Sequence, residues 1–103
     1  MSDNAGDRDR AAIEEARQDI DRIDEEIVRL LSERAERVRI IGDAKHRQGV
    51  PVYQPDREEK VFARVIAANR GPLDDGAIRR LFERIIDEAR RLERLVYRVD
   101  EDE

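Results

Sequence analysis

Residues 27–45 read IVRLLSERAERVRIIGDAK, and the rhythm of their apolar residues decides the fold. Ile27, Leu30, Leu31, Val38 and Ile41 recur three and four apart, and the same spacing runs back through Ile23, Ile20, Ala16 and Ile13. That period places them on one face of an α-helix. From Asp9 to His46 there is no proline, and no glycine before Gly42, so one long helix is predicted over about 9–46. At ~1.5 Å per residue it would span about 57 Å. Gly49 and Pro51 are placed to stop it. One position breaks the pattern. Counting in sevens from Ile13 gives Ile20, Ile27, Arg34 and Ile41, so a guanidinium stands where isoleucine otherwise recurs.

Beyond the long helix, VPVYQPDREE is a connection, and Pro55 suits the first turn of a second helix because its missing N–H has no intrahelical partner there. That helix is predicted to reach about Ala68, with Val61, Phe62, Val65 and Ile66 as its stripe. NRGPLDDG is a turn, and Asp74 or Asp75 can cap a third helix carrying Ile78, Leu81, Phe82, Ile85, Ile86, Ala89, Leu92 and Val96. Residues 1–8 are polar and without periodicity, and residues 100–103 are acidic. Both ends are expected to be disordered tails around a helical domain over 9–99. The predicted class is all-α, with one long and two shorter helices. A monomer would leave part of the long stripe wet, so the expected assembly is an intertwined helical homodimer with the long helices side by side.

Composition removes several functions. The chain has 103 residues, no cysteine and one histidine, His46. A disulfide framework, a thiolate metal site and a Ser/His/Asp triad therefore lack material. Two serines and no threonine argue against a nucleophilic hydroxyl. The net charge of −5 argues against nucleic acid as the main partner. No apolar run approaches the ~20 residues of a membrane span, and MSDNAGDRDR lacks the apolar core of a signal peptide, so a cytoplasmic protein without a membrane partner is expected.

Arg34 has company on the apolar faces. The neighbouring series of sevens runs Arg17, Asp24, Leu31, Val38, Lys45. Glu58 precedes Val61, Phe62 and Val65 by three, four and seven, and Arg57 borders the same face. Glu93 follows Ala89 by four and Ile86 by seven. An isolated buried charge costs several kcal/mol, so each of these must be paired, wet or bound. Taken singly, each reads as an interhelical ion pair, a register-setting polar residue, or a long side chain reaching out to water. Taken together, Arg17, Arg34, Lys45 and Arg57 outnumber Glu58 and Glu93, even if Asp24 joins the acids. The missing anion could be a ligand with carboxylates or phosphates, which a guanidinium fork grips in bidentate fashion. A small dicarboxylate held by arginines, without covalent catalysis, is the chemistry these residues support.

The order and spacing of Arg17, Arg34 and Lys45, then PVYQPDRE with Arg57 and Glu58, then LFERIIDEARRLE ending at Glu93, resemble the all-helical class of chorismate mutase. The resemblance covers roughly Ile13 to Val96. It implies an isomerase of aromatic amino acid biosynthesis in the shikimate pathway, which converts chorismate to prephenate by a unimolecular Claisen rearrangement with no cofactor and no metal. It implies a homodimer in which Arg17 is donated across the interface. Arg17, Arg34 and Arg57 would hold the two carboxylates and Glu58 the ring hydroxyl. Lys45 and Glu93 would face the ether oxygen of the breaking bond. Holding the enolpyruvyl arm over the ring removes conformational freedom, and a fixed ammonium meets the charge that grows on that oxygen. Arg34 would then interrupt the isoleucines because the seam lines a pocket there.

Three positions depart from the family pattern. Many members carry glutamine where Glu93 stands, so the carboxyl would donate only when protonated. Ala89 stands where some use a serine hydroxyl near a carboxylate. Gln54 stands where an aspartate often caps the second helix, leaving a substrate contact to the backbone. Two other functions compete: isochorismate pyruvate-lyase on the same fold, and a non-enzymatic helical dimerisation module. Some members of the family work with a partner enzyme of aromatic biosynthesis.

Overall fold

A computed structural model describes residues 2–51 and 54–102. Among them the chain is all-α, with helices α1 (Ser2–Gln48), α2 (Pro55–Ala68) and α3 (Asp75–Asp102). Helix α2 has the bounds its sequence predicts. Helix α1 starts at Ser2 rather than near Asp9 and α3 continues through 100–102, so both 2–8 and 100–102 are helical where disordered tails are expected. The physical reason is that nucleation is the costly step, and a helix already formed extends through polar residues at one hydrogen bond per residue fixed. An Asp7–Arg10 ion pair, three residues apart, lies along this extension.

The chain divides into two compact units, Met1–Arg34 and Ala35–Glu103. The first is a stretch of α1. Its polar face carries pairs spaced by three and four: Asp19 with Arg22, and Arg29 with both Glu26 and Glu33. The hydrogen bond from Arg29 holds the Glu26 carboxyl below its usual value. Its apolar face is open, with Ile20 and Ile27 at 52% and 47% exposure.

The second unit contains the end of α1 and the α2–α3 hairpin. Helix α1 stops as its glycine predicts. Gly49 takes φ +70°, its N–H donates to the His46 carbonyl at 3.1 Å, and Val50 N–H donates to the Lys45 carbonyl at 3.0 Å. That double closure satisfies two carbonyls the helix would leave open. Between α2 and α3, Asn69 ties the turn: its side-chain amide donates to the Leu73 carbonyl at 2.8 Å and to Asp75 Oδ1 at 3.0 Å, and accepts from Gly71 N–H at 3.0 Å. Asp74 is the cap of α3, accepting from Ala77 N–H at 2.7 Å.

Helices α2 and α3 pack on each other around Phe62 (6% exposed) and Ile86 (8%), with Val61, Val65, Ile66, Phe82 and Ile85 half-buried. The Arg79 guanidinium lies 4.3 Å above the Phe62 ring, a cation–π contact that closes the core from one side. Leu81 and Val96, counted in the α3 stripe, remain exposed in the single chain. No helix among the described residues is long and apolar enough to cross a membrane.

Candidate active site

Lys45 sits in the last turn of α1, half-buried, where the Gly49 closure fixes the backbone. The residues around it are clamped to α3. Tyr97 Oη donates a hydrogen bond to Asp43 Oδ1, and the Tyr97 ring stacks on His46 with centroids 4.7 Å apart and planes 21° from parallel. Gly42 permits the approach, since a Cβ there would lie 3.1 Å from Tyr97 Oη. The hydrogen bond to Asp43, then burial and the Asp43 charge, push the phenol up to about 12.

Glu58, in the first turn of α2, is half-buried and faces Arg90 of α3. Arg90 Nε donates to Glu58 Oε2 at 3.1 Å and Nη2 donates to Oε1, a fork-to-fork pair with both side chains partly shielded. Asp87 Oδ1 lies 3.8 Å from Arg90 Nη1. Three residues further along α3 is Glu93, also half-buried. Burial raises the Glu93 carboxyl above its ordinary value; the charges of Lys45 and Arg90 oppose that rise, and the Glu58 charge adds to it. Burial wins, so the Glu93 carboxyl takes up a proton more readily than an ordinary carboxyl does.

A cleft of about 450 Å³ opens at the start of α2, lined by Pro51, Gln54, Pro55, Asp56, Arg57 and Lys60. Gln54 occupies the cap position in an extended conformation without a side-chain cap, and its carbonyl accepts from Glu58 N–H at 3.4 Å. Arg57 is exposed. Arg17 and Arg34 lie on the first unit, exposed and half-buried respectively.

The structure therefore brings Lys45, Glu58 and Glu93 into one neighbourhood and puts Gln54 and Arg57 at a second place on the same unit. Ala89, half-buried, directly precedes Arg90. Arg90 and Tyr97 are absent from the residues that the sequence singles out. A signal for Arg90 existed: it follows Ile86 by four and precedes Glu93 by three, which sets it on the inward face of α3. Tyr97 had a weaker one, lying four beyond Glu93.

The pattern of chorismate mutase type II matches residues 16–94. The chain belongs to that family. A bifunctional chorismate mutase/prephenate dehydratase of Aquifex aeolicus is 35% identical over 88 residues, which is 82% of this chain and 24% of that protein. Its counterpart from Neisseria gonorrhoeae is 44% identical over 75 residues, 73% of this chain and 20% of that protein. The chain thus spans about a quarter or less of these relatives. A solved structure of chorismate mutase from Thermus thermophilus (form II) superposes with a TM-score of 0.76 at 43% identity, covering 79% of this chain and 92% of that one. The chorismate mutase match takes in Arg17, Arg34, Lys45, Gln54, Arg57, Glu58, Ala89 and Glu93.

Proposed function

We propose that this chain is a chorismate mutase, converting chorismate to prephenate without a cofactor. The observation that carries the proposal is that Lys45 of α1 and Glu58 of α2, both half-buried, lie near enough to Glu93 of α3 for their charges to act on its carboxyl. A chorismate ether oxygen placed between the Lys45 ammonium and a protonated Glu93 would have two donors aimed at the charge it gains as its C–O bond lengthens. Donors fixed in advance stabilise that charge more than they stabilise the ground state. Glu58 would accept from the ring hydroxyl. Arg57 and Arg34, with Arg17 from a second copy, would hold the carboxylates and keep the reacting arm over the ring. At Ala89 no hydroxyl is offered, and at Gln54 the backbone would make the contact.

A homodimer is part of the proposal. The apolar face of α1 is open in the single chain at Ile13, Ile20, Ile23 and Ile27 of the first unit and at Ile41 of the second, surface that pairing with a second copy would cover. The relatives that join a mutase to a prephenate dehydratase by name make an enzyme that consumes prephenate the natural partner in aromatic biosynthesis.

The test is a thermal shift with a bicyclic ether dicarboxylate that mimics the rearrangement transition state, run beside turnover of chorismate and isochorismate. Specific binding to the folded state raises Tm with ligand concentration. The proposal expects that rise together with prephenate from chorismate. Pyruvate release from isochorismate without prephenate formation would replace it with the lyase, and an unmoved Tm with neither activity would sink both.

A further inference from the structure

We propose that Arg90 is a positioning residue of this site, holding the Glu58 carboxylate in one orientation so that it meets the substrate hydroxyl as an aimed acceptor. The inference rests on the mutase reading and deepens it. It begins from geometry. The guanidinium fork of Arg90 engages both oxygens of Glu58 across the α2–α3 contact, with Nε–Oε2 at 3.1 Å, and Asp87 approaches the same guanidinium from one turn earlier on α3.

A carboxylate offers about four lone-pair sites, and a fork-to-fork pair uses two. Glu58 therefore keeps acceptor capacity on the edges turned away from Arg90, in directions that the fork fixes. Without Arg90, the Glu58 side chain would sample several rotamers, and the hydroxyl would have to select one. Stability is a weak reason for the pair to exist, because desolvating two charges offsets most of their attraction. Orientation is the better one, and only a planar guanidinium supplies it; an ammonium provides charge without the fork.

Arg90 also faces the second acid of the site. The charges of Lys45 from α1, Glu58 from α2 and Arg90 from its own helix all act on the Glu93 carboxyl. The Arg90 charge pulls the Glu93 carboxyl down against burial, so the same guanidinium that aims Glu58 restrains proton uptake at Glu93. Charge and shape can therefore be separated by substitution.

The experiment compares wild type, Arg90→Lys and Arg90→Met, each checked for native helix content. It measures kcat and KM on chorismate, and the side-chain carboxyl titration of Glu93 in the free protein by carbon-13 NMR. Arg90→Lys is expected to lose about 10- to 100-fold in kcat/KM through misplacement of Glu58, with Glu93 titrating near its wild-type midpoint. Arg90→Met is expected to lose as much and to move the Glu93 midpoint up. In a Glu58→Gln background, Arg90→Lys should cost no further factor. Wild-type kcat/KM in folded Arg90→Lys, or the full loss persisting in that background, would overturn the proposal. A wild-type chain inert toward chorismate would refute the mutase reading instead. The Glu93 titration would then decide the placement of Arg90, and an unmoved midpoint in Arg90→Met would overturn it. If Arg90→Met does not fold, Arg90→Lys carries the test alone.

Discussion

Replacing Glu93 with glutamine should remove the pH dependence of the reaction. Glu93 can donate to an ether oxygen only while protonated. An ordinary carboxyl has a value of 4.5, and burial lifts Glu93 above it despite Lys45 and Arg90. At pH 7.5 an unshifted carboxyl would be protonated about one time in a thousand. The upward shift makes the protonated share of Glu93 larger than that, so the donor form limits the rate by at most about a thousandfold at that pH. Each further unit of pH above the midpoint should lower kcat about tenfold. A glutamine amide donates at any pH, so Glu93→Gln should be flat where wild type slopes, and faster at alkaline pH. Stability follows the same sign. The folded state holds this proton more tightly than the unfolded chain, so its contribution is full below pH 4.5 and is lost as pH rises through the raised midpoint. The assay is kcat against pH for both proteins, with urea melts at the same pH values. A wild-type profile already flat, or a Glu93→Gln profile with the wild-type slope, would refute the reasoning.

Phe62→Ala should cost about 3 kcal/mol in urea unfolding, because it empties the centre of the α2–α3 contact and removes the face on which Arg79 rests. Tyr97→Phe keeps the stack on His46 but loses the hydrogen bond to Asp43, and should cost about 1 kcal/mol. In the parent protein, ultraviolet titration should place the Tyr97 phenol near 12, with the stability it confers full below pH 10.0 and lost as pH climbs through 12. Ile20→Asp with Ile27→Asp should turn a dimer into a monomer in light scattering, since both residues lie on the open α1 stripe. A wild-type chain that is itself monomeric would contradict the proposed pairing.

Helix α2 was readable to the residue because Pro55 and the turn at Asn69 leave little choice at either end. The start of α1 was not. Composition reports whether a segment can pay for its own folding, whereas 2–8 rides on a helix nucleated elsewhere. Spacing set Lys45, Glu58 and Glu93 on or beside the apolar faces, and they are half-buried, whereas Arg17 and Arg57, placed by the same rule, are exposed in the single chain. What spacing cannot give is the neighbour across the gap. Arg90 could be set on the inward side of α3, but its pairing with Glu58 depends on how α2 and α3 dock, and the Tyr97 clamp on Asp43 and His46 depends on a contact 54 residues away in the chain. The direction of the Glu93 shift was equally hidden, since burial and two cations oppose one another and only the packing decides which prevails.

Prephenate formation from chorismate by the purified chain, wild type beside Lys45→Ala, tests the central claim most directly. The account predicts prephenate from wild type and a loss of at least about a hundredfold in kcat when the ammonium is removed. No prephenate from wild type, or equal rates from the two proteins, would contradict it.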